Sequence, residues 1–147
     1  MTNGTASGTR EITGIGGTAS TGVNPSDLTV FNGAVLFNGA DTAGHFGLWT
    51  TNGTATGTQE LGGSTGISGA SATGLNPTDM TGFDGKVLFN GVDVHGLSGL
   101  WVTDGTAGGT YEVVAEAAGA SSGLDPTAMI VLGNEVLFRG LDAAGHS

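Results

Sequence analysis

Gly47-Leu48-Trp49-Thr50-Thr51-Asn52-Gly53-Thr54-Ala55-Thr56-Gly57-Thr58 decides how this chain is read, because it returns as Gly99-Leu100-Trp101-Val102-Thr103-Asp104-Gly105-Thr106-Ala107-Gly108-Gly109-Thr110. Its second half also stands at the start, as Thr2-Asn3-Gly4-Thr5-Ala6-Ser7-Gly8-Thr9. A glutamate follows each copy, at Glu11, Glu60 and Glu112, in steps of 49 and 52 residues. A second block keeps the same steps: Asn24-Pro25, Asn76-Pro77 and Asp125-Pro126 each precede a run ending in Val35-Leu36-Phe37, Val87-Leu88-Phe89 and Val136-Leu137-Phe138. Self-similarity at a fixed period of this size is the signature of a repeat architecture.

Working outward from that stretch, each repeat reads as four short strands. Leu28 to Phe31 and Ala34 to Asn38 flank Asn32-Gly33, a pair suited to the positive φ angles of a tight hairpin turn. Asp84-Gly85 and Gly133-Asn134 occupy the same place in the other copies. The Gly-Leu-Trp segment makes a third strand, and the residues around the glutamate (Thr58 to Leu61, Thr110 to Val114) a fourth, with Asn-Gly-Thr or Asp-Gly-Thr turning the chain between them. The Val-Leu-Phe run is apolar without alternation, as in a strand covered on both faces, while the Trp strand mixes polar residues among its apolar ones. No single repeat buries its own faces, so neighbours must stack on one another. The expectation is an all-β chain of β-propeller blades, each a four-stranded antiparallel meander.

The pattern Leu-Trp-x-Thr-Asp/Asn-Gly-Thr-Ala-x-Gly-Thr followed by Glu resembles the ELWxSDGTxxGT repeats found in tandem in large bacterial surface or secreted proteins. The resemblance covers the whole chain and implies a β-propeller-like array, with no reaction attached to it. Gly47 and Gly99 depart from it, standing where the family carries an acidic residue before Leu-Trp.

The chain is expected to be one repeat domain over 1–147, with intact repeats at about 23–74 and 75–123 and a third divided between 1–22 and 124–147. Three blades fall short of the roughly four to eight that propellers use. Two chains joined head to tail would supply six, each C-terminal half-blade (Met129 to Gly140) being completed by the other chain near Arg10 to Thr13. A homodimeric ring is therefore expected, with a monomeric three-fold β-trefoil as the alternative, one that accounts less well for the regular hairpins.

The 147 residues hold 30 glycines and no cysteine, so neither a disulfide nor a thiolate site exists. Three basic residues against thirteen acidic ones give a net charge of -10, which argues against nucleic acid and anionic membrane surfaces as partners. The sequence as given starts with neither the basic nor the apolar region of a signal peptide, as would a fragment of a larger secreted protein.

Candidate chemistry is sparse. Asp41, Asp93 and Asp142, with nearby glycines and His45, His95 and His146, suggest a Ca²⁺ loop, but the spacing matches no EF-hand or zinc pattern, and turn formation explains Asp and Gly equally. Trp49 and Trp101 could stack on a sugar, with those aspartates as hydrogen-bonding partners, although inter-blade packing suits so large an apolar ring better. Glu11, Glu60 and Glu112 recur once per repeat, whereas catalysis needs one asymmetric constellation, so a structural role such as capping turn amides is expected. No P-loop or His-Glu-x-x-His is present. Asn3-Gly4-Thr5 and Asn52-Gly53-Thr54 match glycosylation sequons but belong to the repeated turn. The sequence thus points to a non-catalytic, self-assembling scaffold, with a lectin-like carbohydrate-binding module as the alternative and no cofactor.

Overall fold

The computed structural model describes residues 1–63, 66–114 and 123–147. Residues 64 and 65 of the Gly/Ser-rich loop, and 115–122 at the end of the second repeat, lie outside the described residues. The chain is all-β, and its strands form three separate antiparallel sheets. The first runs β1 (Ser26–Phe31), β2 (Ala34–Ala40), β3 (Phe46–Thr51) and β4 (Thr58–Glu60) in sequence order. The second repeats that order with β5 (Thr78–Phe83), β6 (Lys86–Val92), β7 (Ser98–Thr103) and β8 (Tyr111–Glu112). The third has two strands, β9 (Thr127–Leu132) and β10 (Glu135–Arg139), and the sheets do not close on themselves. No helix among the described residues is long and apolar enough to cross a membrane.

The hairpin turns follow from their dipeptides. Asn32 and Gly33 have φ of 48° and 78°, and Asp84 and Gly85 have 46° and 68°, the paired positive values of a type I′ turn. In the third hairpin only Gly133 is positive, at 62°, as a type II′ turn requires at its first central residue. The wider β3–β4 turn is tied by side chains. Asn52 Oδ1 accepts the Thr54 amide at 3.1 Å and the Thr54 hydroxyl at 2.7 Å, while the Thr51 and Thr58 hydroxyls meet at 2.6 Å. Asp104 with Thr106 and Thr103 with Thr110 repeat these bonds, and so do Asn3 with Thr5 and Thr2 with Thr9.

The N-terminal copy of the turn carries no strands. Met1 and Arg10 exchange two backbone bonds, of 2.8 and 3.0 Å, and there the pairing stops. Arg10 to Thr13, expected to complete the half-blade of another copy, form no strand within the single chain. The Trp strands β3 and β7 are inner strands of their sheets, and Gly-Leu-Trp is buried in both. The exposed strands include β1, β9 and β10, where Leu28, Val30, Ile130, Leu132 and Leu137 are exposed.

The core lies between the first two sheets. Leu36 and Leu48 on one face of the first sheet pack with Leu61, Ile67 and Leu75 of the connection, and with Val87, Phe89 and Trp101 of the second. Each such side chain fully removed from water contributes roughly 1.5–3 kcal/mol. Phe37 stacks on Trp49, and Phe89 on Trp101, at centroid separations of 6.2 and 6.5 Å.

Candidate functional site

Sheet-to-sheet contact is specified by polar residues that recur with the repeat. Asn38, at the end of the β2 apolar run, donates its amide to Asn76 Oδ1 at 3.0 Å. Asn90 does the same to Asp125 Oδ1 at 2.9 Å, one sheet further on. The backbone follows, with the Asn76 amide donating to the Phe46 carbonyl at 2.8 Å and the Asp125 amide to the Ser98 carbonyl at 2.9 Å. The first strands are joined similarly: Asp27 Oδ1 accepts the Asp79 amide at 3.3 Å, and Asp79 Oδ1 accepts the Ala128 amide at 3.4 Å. Asp27, Asp79 and Ala128 all sit at a bulge with φ between 51° and 54°. Sequence reasoning missed these ties, although Phe-Asn-Gly and Asn-Pro, recurring at one spacing, were a visible signal.

Two faces lack the contact the others make. On the third sheet, Leu137 corresponds to Leu36 but is 49% exposed against 1%. Arg139 stands there in place of Asn38 and Asn90. On the first sheet, the face carrying Val30, Val35 and Phe37 borders a cleft of about 1020 Å³, closed on its other side by the segment from Glu11 to Asn24. Asn24 is exposed, yet its φ of 45° matches the 45° of Asn76 and the 44° of Asp125. Ala40 donates to the Val23 carbonyl at 2.7 Å, as Val92 does to Leu75 and Leu141 to Leu124 at 2.8 and 2.7 Å. The receiving segment is therefore already in its docked geometry.

The carboxylates singled out by the sequence serve local structure. Asp41 Oδ1 accepts the amides of Ala43 and His45 at 2.7 and 2.8 Å. Asp93 holds His95 and Leu97, and Asp142 holds Ala144 and His146, in the same way. Asp41 Oδ2 lies 3.8 Å from His45 Nδ1, and Asp142 Oδ2 3.4 Å from His146 Nδ1. Among the described residues no three His, Asp or Glu side chains converge as a metal site would require. Trp49 and Trp101 are completely buried, so neither ring offers a face to a sugar, and their indole N–H groups meet no acceptor among the described residues.

Glu60 pairs across the sheet with Trp49, and Glu112 with Trp101. Their carboxylates lie against Gly47 and Gly99, where any Cβ would overlap them. That explains the glycine before each Leu-Trp. The turn amides are held by Asn52 and Asp104 instead. Glu11 is exposed and lines the cleft. Burial, and then the nearby Asp41, raises the Glu60 carboxyl above its ordinary 4.5, against a lowering by His45; burial, Asp93 and His95 act likewise on Glu112. Since the folded state favours the protonated acids, their contribution is fully present below pH 4.5 and lost as pH rises through the folded values. A Glu60→Gln/Glu112→Gln variant should be at least as stable as the parent at pH 7, and should gain less than the parent on acidification to just above pH 4.5, by urea unfolding at both pH values.

No family model, curated protein or solved structure matches the chain.

Proposed function

We propose that this chain is a non-catalytic β-propeller scaffold whose ring is completed by a second copy, two chains supplying six blades. One observation carries the reading: the same sheet-to-sheet contact is made twice within the chain and left half-made on the outer faces of the first and third sheets. Separate four-stranded meanders with their first strands side by side support blades over a trefoil. Heterologous contacts of this kind form a ring when the rotation between copies closes, and full closure removes exposed sheet edges. The likeness of the repeat to tandem arrays in bacterial secreted and surface proteins supports a setting outside the cytoplasm. The lectin-like alternative would need a platform other than Trp49 and Trp101.

Light scattering on the 147-residue chain at micromolar concentration tests the reading. A mass of two chains, independent of concentration over that range, is expected. A stable monomer would overturn it.

A further inference from the structure

We propose that Leu137 and Arg139 on β10 of one copy dock into the cleft beside Val30, Val35 and Asn24 of a second, with the Arg139 guanidinium donating to Asn24 Oδ1. This rests on the scaffold reading and specifies the joint, its register and its direction.

Both halves of the contact are seen assembled elsewhere in the chain. Where a neighbour is present, the Leu36 face of one sheet meets the Val87 and Phe89 face of the next, and Leu36 and Val87 are 1% and 0% exposed. Their unpaired counterparts are Leu137, 49% exposed, and Val35, only half-buried on the cleft. Phe31 lies 3.3 Å from the position of a Cβ on Gly105, closing the top of the second sheet. Its counterpart Leu132 is 63% exposed, and the counterpart of Gly105, Gly53, is covered by the Met1 side chain instead.

Asn24 is the counterpart of Asn76 and Asp125, the two residues that accept from Asn38 and Asn90. Arg139 is the only donor at that register position with a charge, and a guanidinium keeps the donor role while reaching further than an amide. Among the described residues, Glu11 is the only acidic side chain lining the cleft. Glu135 stands two residues before Leu137 on β10, so the orientation is set by the register that brings Arg139 to the Asn24 position rather than by the net charge of the face. Gly22 adds an independent sign. It has φ +98° and nothing within 4 Å of a Cβ, whereas its counterparts Gly74 and Gly123 press on the Phe46 and Ser98 backbones of an adjoining sheet.

Complementation of two face-specific variants tests the joint. Leu137→Glu spoils the donor face and Val30→Glu the cleft; both side chains are exposed, at 49% and 79%, so the fold of each chain should survive, as circular dichroism would verify. Each variant alone should be monomeric where the wild-type chain is assembled, with the dissociation constant raised at least about tenfold. Mixed in equal amounts they should form a one-to-one pair through the single intact joint. Asn24→Asp, the residue that the Asp125 position already carries, should tighten assembly and make it more sensitive to salt. If the wild-type chain assembles but neither glutamate variant disturbs it, the docking falls while the scaffold stands. If both are disrupted and the mixture does not pair, the head-to-tail direction is overturned. A wild-type monomer would sink both readings.

Discussion

Trp101→Ala should destabilise the chain by about 3–5 kcal/mol, the usual range for removing a buried aromatic ring. The ring is fully buried, stacks on Phe89 and belongs to the cluster joining the first two sheets. Deleting it removes apolar contact and leaves a cavity that β6 and β7, paired over six residues each, cannot collapse into. A domain stable by only about 5–15 kcal/mol would lose a large share of that margin. Urea unfolding followed by circular dichroism measures the loss. Trp101→Phe, which keeps an aromatic partner for Phe89, should cost appreciably less. A Trp101→Ala loss below about 1 kcal/mol would mean that the ring packs far more loosely than its burial indicates.

Gly74→Ala is expected to cost about 2–4 kcal/mol, for two separable reasons. Its φ of +108° strains any residue with a Cβ. The added carbon would also run into the Phe46 backbone, whose C and N atoms stand 2.9 Å from it, displacing the carbonyl that accepts the Asn76 amide. Gly22→Ala provides the internal control, since φ is again positive, at +98°, but nothing stands within 4 Å. Thermal unfolding of both variants should show the larger drop for Gly74→Ala. Equal drops would mean that backbone strain alone sets the cost.

Much of the fold was legible because its signals are local. Asn32-Gly33 and Asp84-Gly85 named their hairpins, and the recurrence of Trp49 and Glu60 at Trp101 and Glu112 marked the third and fourth strands. What was not legible depends on stacking. That Trp49 and Trp101 pack was legible from their size, but what they pack against is decided by neighbouring strands and connections, not by their own strands. The bulge is hidden for another reason: Asp27 and Asp79 suit a positive φ, but Ala128 adopts the same value without any compositional sign. For the proposed joint, the repeat alignment exposes Arg139 as the odd residue among Asn38 and Asn90, but only the bonds those asparagines make give the difference a meaning.

The order of strands in the sheets bears on how the chain is made. Every strand in β1 to β4 pairs with its neighbour in sequence, and β5 to β8 and β9 to β10 do the same. Folding slows when contacts join distant parts of a chain, because loop closure must precede them, and all-β proteins are usually slow for that reason. Here the longest wait for a partner strand within a sheet is one turn. Since domains fold progressively from the N-terminus during synthesis, the first sheet can be complete once Glu60 has emerged, with its Leu36 and Leu48 face met by the second as translation proceeds. The ribosome would thus deliver a chain whose sheets are already organised in order.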